Sequence, residues 1–97
     1  MKLLVCIVQK KYSDTLVKRL NQKGYRVTKL ASTGGFVKQG NDTLFIGAAN
    51  EDIDQLQNDL KRFVLELEKE KRWQTTGHRM TIFVISGQNR LSVKHNR

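Results

Sequence analysis

The residue types best suited to binding a ligand are gathered in residues 26–47. This segment combines Arg26, threonine hydroxyls, the pair Gly34-Gly35, the ring of Phe36 and the amide of Asn41. Arginine binds phosphate oxygens, glycines leave backbone N–H groups accessible, and an aromatic face stacks on a base. These are the residue types that a phosphate-bearing nucleotide needs, but on composition alone a purely structural interpretation is the stronger one. The glycines could be turn residues, Phe36 a core anchor and Asn41 a left-handed turn position.

No other group of residues suggests catalysis or metal binding. The serines have no nucleophile–base motif around them, and Cys6, His78 and His95 offer no pair at the spacing of zinc ligands. A single cysteine excludes an internal disulfide, and we expect Cys6 to be a buried core thiol. The sequence therefore predicts a protein that is not an enzyme and has no catalytic residues, no metal and no cofactor.

The composition indicates a small protein that meets anions. The 97 residues include 18 Lys and Arg against 9 Asp and Glu, a net charge of +9. This excess leaves nucleic acid, an anionic membrane surface and phosphorylated small molecules as candidate partners. The longest apolar run, residues 3–8, is far shorter than the roughly 20 residues that span a bilayer, and nothing resembles a signal peptide. We therefore expect a cytoplasmic protein without a membrane segment.

Hydrophobic periodicity predicts six elements in the order β-α-β-β-α-β. The strands are residues 1–9, 25–32, 43–48 and 80–85, and the helices are residues 12–23 and 50–71. Two βαβ units around a central hairpin predict an α+β ferredoxin-like fold, a four-stranded antiparallel sheet with two helices on one face. Residues 1–87 should form this single domain, and residues 88–97 a mobile basic tail or an added edge strand.

The predicted helices have identifiable ends and faces. Ser13 is expected to cap the first helix, Gly24 to end it, and Asn50 to cap the second. A buried stripe on the second helix should comprise Ile53, Leu56, Leu60, Phe63, Val64 and Leu67. The acidic residues of this region are most simply a solvated face: Glu51, Asp52, Asp54, Asp59, Glu66, Glu68 and Glu70.

The predicted strands place Arg26 and Thr28 on one face of the sheet. Alternation along residues 25–32 puts these two side chains on the same side, with Val27 on the other. The first and last strands are apolar on both faces, although helices cover only one face of such a sheet. We therefore expect subunits to pack through the uncovered face.

A long motif resembles the PII-like cyclic di-AMP receptor family. It consists of Thr28-Lys29-Leu30-Ala31-Ser32-Thr33-Gly34-Gly35-Phe36-Val37, followed by Gly40-Asn41-Asp42-Thr43 and Gly47. The opening Met1-Lys2-Leu3, Ile7-Val8-Gln9 and the late Thr81-Ile82-Phe83-Val84 also fit. The resemblance runs without a gap from Met1 to about Ile53 and resumes at Met80.

The resemblance implies a PII-like homotrimer that binds the second messenger cyclic di-AMP in the clefts between subunits. Carried over by position, the ligand-binding residues are Arg26, Thr28, Gly35, Phe36, Val37, Asn41, Gly47 and Phe83. Arg26 and Thr28 would contact the ligand from the second strand, and Phe36 would stack on an adenine between Gly35 and Val37. Asn41 and Gly47 would supply polar and backbone contacts, and Phe83 an apolar wall.

Two departures from the family pattern matter most. The connection between the second helix and the last strand is only about residues 72–79, where family members usually carry a long Gly/Pro-rich loop. Residues 88–97 match nothing in the family, whose C-terminus helps to close the site. Asp42, in place of a threonine, would add a negative charge near a dianionic ligand.

Three functions remain open at this point. The leading hypothesis is a signal-transduction protein that binds cyclic di-AMP and relays the signal to an unidentified protein target. A divergent PII-like paralogue that binds another adenine nucleotide, or none, is the second. The third is a basic nucleic-acid-binding module, supported by the charge and the basic tail but lacking an aromatic-rich sheet motif for stacking bases.

Overall fold

A computed structural model describes residues 1–30, 40–74, 80–86 and 93–95 of the chain. The strands are β1 (Lys2–Gln9), β2 (Arg26–Leu30), β3 (Asn41–Ala48), β4 (Met80–Ser86) and β5 (Val93–His95). The helices are α1 (Lys10–Gln22) and α2 (Ile53–Lys71), and a 3₁₀ turn, Asn50–Asp52, precedes α2. All six predicted elements are present in the predicted order.

The strands form one antiparallel sheet in the order β2-β3-β1-β4-β5. The first four strands have the ferredoxin-like arrangement, which confirms the predicted fold. β5 adds a fifth strand at the β4 edge, within the segment for which an edge strand was the alternative to a mobile tail. In the two central pairings Val5 lies opposite both Phe45 and Phe83.

The core lies between the helices and one face of the sheet. Leu4, Cys6 and Val8 of β1 pack with the buried residues of α1 and α2. All six residues of the predicted α2 stripe are buried, so the helical periodicity located this face correctly. The α1–α2 surface is joined by ion pairs from Arg19 to Glu66 and Glu70.

Both predicted N-caps are wrong. α1 begins at Lys10, directly after β1, where the Lys10 N–H donates to the Gly40 carbonyl at 2.8 Å; Ser13 is therefore inside the helix. Asn50 opens a 3₁₀ turn, and neither it nor α2 has a side-chain cap. The predicted end of α1 is confirmed, since Gly24 follows the helix with φ 95°.

The opposite side of the sheet, which we call the open face, is not covered by a described helix. Alternation places on it the residues between the core positions: Leu3, Val5, Ile7, Arg26, Thr28, Leu30, Thr43, Phe45, Gly47, Thr81, Phe83 and Ile85. Most are apolar: Leu30 is 43% exposed, Val5 is buried, and the other apolar members are half-buried. Among the described residues, no helix is long and apolar enough to cross a membrane.

Candidate functional site

Arg26 and Gly47 lie directly opposite each other at one end of the open face. They are a cross-strand pair of β2 and β3. A cleft of about 620 Å³ opens beside them, which we call the Arg26 cleft. It is lined by Met1, Lys23, Gly24, Tyr25, Arg26, Gly47, Ala48, Ala49 and Asp52. An exposed guanidinium beside a cleft of this size is suited to a small anionic ligand.

Gly47 leaves space at this end of the sheet. A Cβ atom built on Gly47 would have no heavy atom within 4 Å. The strand neighbours of Gly47 are Arg26 on one side and Leu3 on the other, so the gap lies between a cation and an apolar side chain. A ligand could therefore approach the backbone of β3 here. The backbone contact that the family resemblance implies for Gly47 would need this space.

Thr28 and Phe83 lie in one cross-strand row but not side by side. The row runs Thr28, Phe45, Val5, Phe83 across the strands β2, β3, β1 and β4. Three strand spacings separate its ends, about 14 Å. Phe45, which the sequence analysis did not select, is the aromatic ring next to Thr28 and is half-buried.

Asn41 lies at the other end of β3. It pairs with Gln9, six residues along the strand from Gly47, which is about 20 Å. The strand predicted to begin at residue 43 begins two residues earlier, so Asn41 is the first residue of β3. Gly35, Phe36 and Val37 fall outside the described residues. Of the eight predicted ligand-binding residues, the described part of the chain thus brings together Arg26 and Gly47, with Thr28 one row away.

A buried carboxylate, that of Asp59, lies behind the wall of the cleft. Asp59 is 1% exposed, which corrects its assignment to a solvated face. Its Oδ2 accepts hydrogen bonds from Lys23 Nζ at 3.0 Å and Tyr25 OH at 3.3 Å. Its Oδ1 accepts from Gln55 Nε2 at 2.9 Å and from the Arg62 guanidinium at 3.2 Å. Asp59 therefore joins the end of α1 and the start of β2 to α2.

The pKa values of this cluster follow from its contacts. Burial raises the pKa of the Asp59 carboxyl, but hydrogen bonds from Lys23 and Gln55 and the charges of Lys23 and Arg62 outweigh burial and hold it below its usual value. Burial and the neighbouring Asp59 charge raise the pKa of Tyr25. Asp59 is therefore ionised, and Tyr25 protonated, at neutral pH.

Glu68 carries a second buried carboxylate on α2, although the sequence analysis placed it on a solvated face. It is 6% exposed and accepts a hydrogen bond from Tyr12 OH at 2.7 Å. The Tyr12 ring meets Trp73 edge to face, with centroids 5.4 Å apart, and Lys11 Nζ lies 4.5 Å from the Trp73 ring centroid. These contacts attach the start of α1 to the end of α2.

Asp42 does not face the predicted ligand surface. It lies on the core side of β3 and is 1% exposed, and Ser13 Oγ donates to its Oδ2 at 2.6 Å. Its charge is therefore on the side of the sheet away from Arg26, Thr28 and Gly47, which corrects the expectation that it adds a negative charge near the ligand. The buried Oδ1 has no hydrogen-bond partner among the described residues.

The helical spacing of Asp59 and Glu68 in the sequence is a signal that could have identified these carboxylates as buried. Asp59 is three residues after Leu56 and four before Phe63, so it borders the buried stripe. Glu68 borders the stripe in the same way, four residues after Val64. The spacing could identify both positions, but not the donors from α1 and β2 that make their burial favourable. The described residues contain no group of three or more His, Cys, Asp or Glu side chains that could hold a metal ion.

Comparisons with known proteins give the same family as the sequence motif. The chain is similar to a crystal structure of a functionally unknown protein from Pediococcus pentosaceus ATCC 25745, with 28% identity and a TM-score of 0.60. That similarity covers 92% of this chain and 94% of the other. The family model of the cyclic-di-AMP receptors matches residues 1–71, which include β1–β3, both helices and the residues 26–47 that carry the predicted site. The chain belongs to the cyclic-di-AMP receptor family.

Proposed function

We propose that this protein is a cytoplasmic, non-enzymatic signalling protein that binds cyclic di-AMP between the subunits of a homotrimer and relays the signal to a protein target. The observation that carries the proposal is the cross-strand pair Arg26–Gly47 beside the Arg26 cleft, in a chain of the receptor family. Arg26 provides a charged fork for phosphate oxygens, and Gly47 leaves room for the ligand to reach the backbone.

The distances within one subunit support a site shared between subunits. Phe83 lies about 14 Å from Thr28 across the sheet, and Asn41 about 20 Å from Gly47 along β3. A ligand on the open face of one subunit would meet only part of the predicted set. A second subunit packed against that face would bring the remaining residues to the same ligand, which agrees with the apolar character of the open face.

Isothermal titration calorimetry with cyclic di-AMP tests the binding function. We expect saturable binding by the wild type and at least tenfold weaker binding by Arg26→Ala, because a charge-assisted phosphate contact contributes about 1.5–3 kcal/mol. Lys18→Ala is the matched control, since it removes an exposed cation of α1 away from the cleft. Wild-type protein that shows no binding at hundreds of micromolar cyclic di-AMP would refute the proposal.

ATP in the same calorimeter separates a closely related alternative. A PII-like paralogue specific for another adenine nucleotide would bind ATP and not cyclic di-AMP, because the adenine contacts could be kept while the phosphate contacts differ. We expect cyclic di-AMP to bind more tightly than ATP. The reverse order would favour the divergent paralogue.

Nucleic acid is the second candidate partner, and one observation favours it. Residues 72–97 contain five Lys and Arg and no Asp or Glu, so the net charge of +9 is partly concentrated after α2. A 20-base-pair DNA duplex, titrated at several salt concentrations, tests this function. A steep fall of affinity with salt would indicate contacts to backbone phosphates, whereas no binding at low salt would exclude them.

A further inference from the structure

Lys23 lines the Arg26 cleft together with Arg26, and no ligand role has been assigned to it. We propose that Lys23 is a second phosphate-binding cation of this site and that Asp59 is the residue that positions it. The inference rests on the proposed function for its natural ligand, cyclic di-AMP. The proposed roles of Lys23 and Asp59 apply to any phosphate-bearing molecule that binds in this cleft.

The contacts of Lys23 leave it able to bind a ligand. Its ammonium group has three N–H donors, and the Asp59 carboxylate, 3.0 Å away, engages one of them. The Lys23 side chain is 38% exposed, whereas that of Asp59 is 1% exposed. Donors therefore remain for a phosphate oxygen on the solvent side, while the other side of the ammonium is held in place.

The other hydrogen-bond donors to Asp59 reduce the free energy cost of turning Lys23 toward a ligand. Gln55 and Arg62 bind Oδ1, and Tyr25 OH shares Oδ2 with Lys23. If Lys23 turns partly toward a ligand, both carboxylate oxygens keep a hydrogen-bond donor. The free energy cost of moving Lys23 is thus smaller than it would be for a two-membered buried ion pair, whose carboxylate would be left alone.

The local charge also favours an anion. Lys23 and Arg26 both place a positive charge in the lining of the cleft, whereas Arg62, the other cation on Asp59, also pairs with Glu66 at 3.9 Å. Asp52 also lines the cleft and is exposed, and its negative charge opposes an anionic ligand. Without Lys23 the charges of Arg26 and Asp52 would nearly cancel.

The turn between α1 and β2 fixes the spacing of the two cations. The Gly24 N–H donates to the Asn21 carbonyl and the Tyr25 N–H to the Leu20 carbonyl, the two hydrogen bonds of a Schellman motif. Lys23 and Tyr25, on either side of Gly24, both donate to Asp59. Asp59 therefore holds the turn against α2, and Arg26 follows directly as the first residue of β2.

Affinity measurements on the full-length protein test the roles of both residues. We expect Lys23→Gln to weaken cyclic di-AMP binding at least fivefold and to reduce the dependence of its Kd on salt. Lys23→Arg should restore most of the affinity. Asp59→Asn should weaken binding severalfold, because the amide no longer fixes the ammonium by charge. The controls are Lys18→Gln for loss of a surface charge and Val64→Ala, a buried α2 change, for loss of stability alone.

Pyrophosphate serves as a second probe, which separates this inference from the proposed function. We expect it to shift the backbone amide NMR signals of Gly24, Arg26 and Gly47 in the wild type and to do so less in Lys23→Gln. If cyclic di-AMP fails to bind but pyrophosphate gives this pattern, the proposed function fails and the role of Lys23 stands. Unchanged affinity of Lys23→Gln for both probes, or no response of the wild type to either, overturns the inference. So does an equal loss of affinity in Val64→Ala and Asp59→Asn.

Discussion

At the scale of single residues, Cys6 shows how burial controls chemistry. It lies on the core side of β1 with no exposed surface, and its Sγ is 3.8 Å from the Met80 sulfur. Burial raises the pKa of the Cys6 thiol to about 12. Since the thiolate is the reactive form, the only cysteine of the chain is chemically protected in the folded protein.

We predict that Cys6 of the native protein resists alkylation. At pH 8, about four units below its pKa, about one thiol in ten thousand is ionised, and the reagent also lacks access. Iodoacetamide at pH 8, followed by mass spectrometry, should leave the native protein unmodified and label the urea-unfolded protein completely. Rapid, stoichiometric labelling of the native protein would show that β1 opens on the time scale of the reaction.

Residue-level burial was predictable from the sequence where one element decides it. Helical periodicity identified the α2 stripe, and an apolar run identified Cys6 as part of the core. Asp59 required knowledge of three elements, because its burial depends on Lys23, Tyr25 and Arg62 together. The helical period alone therefore left it among solvated carboxylates.

At the scale of elements, both helices end in the same motif with different residues. α1 ends with Gly24 at φ 95°, and α2 with Arg72 at φ 57°. In each case the left-handed residue and the residue after it donate their N–H groups to carbonyls of the last helical turn. For α2, the Arg72 N–H donates to the Lys69 carbonyl and the Trp73 N–H to the Glu68 carbonyl. This backbone conformation suits glycine and strains any residue with a Cβ atom. The end of α2 is therefore less favourable than that of α1.

We predict that Arg72→Gly stabilises the protein by about 0.5–1 kcal/mol, because relief of the left-handed strain exceeds the extra entropy of glycine in the unfolded chain. Thermal unfolding followed by circular dichroism should show a Tm higher by a few degrees. Gly24→Ala is the reciprocal control. It should lower stability by about 1 kcal/mol through strain alone, since no heavy atom lies within 4 Å of its Cβ position. A lower Tm for Arg72→Gly would mean that the Arg72 side chain stabilises the fold by more than the strain costs.

The sequence predicted the existence of the elements better than their boundaries. Gly24 was a reliable end signal, because its conformation is local. Ser13 was a poor start signal, because α1 begins where the Lys10 N–H bonds to the distant Gly40 carbonyl. Asn50 was a poor start signal, because the chain first forms a 3₁₀ turn there, in which the Asp52 N–H bonds to the Ala49 carbonyl. Ser13 instead contacts Asp42, a residue 29 positions away, which no local rule could anticipate.

At the scale of the whole molecule, no helix in the described part of the chain covers the apolar residues of the open face. Leu3, Val5 and Ile7 of the central strand β1 lie on it. Val5 is flanked by Phe45 of β3 and Phe83 of β4. An antiparallel sheet with one solvated face usually alternates apolar and polar residues, whereas β1 is apolar on both faces. Packing of this face against other subunits would bury it and would complete the ligand site in the same step.

The predicted assembly can be tested with one substitution on this face. We expect wild-type protein to behave as a trimer of about 34 kDa, three times 11.2 kDa, in size-exclusion chromatography with light scattering. Ile7→Asp should dissociate it, because an unpaired carboxylate in an apolar interface costs several kcal/mol. Gln22→Asp adds the same charge on the exposed surface of α1 and should stay trimeric.

The secondary structure and ligand affinity of the two variants test whether the ligand site lies between subunits. Far-ultraviolet circular dichroism should show that Ile7→Asp keeps its secondary structure, since Ile7 faces away from the helix-covered core. If the ligand site lies between subunits, a folded Ile7→Asp monomer should lose cyclic di-AMP binding although Arg26 and Gly47 are unchanged. A wild-type monomer, or a monomeric Ile7→Asp variant that binds as tightly as the wild type, would place the whole site within one subunit and contradict the proposed trimer.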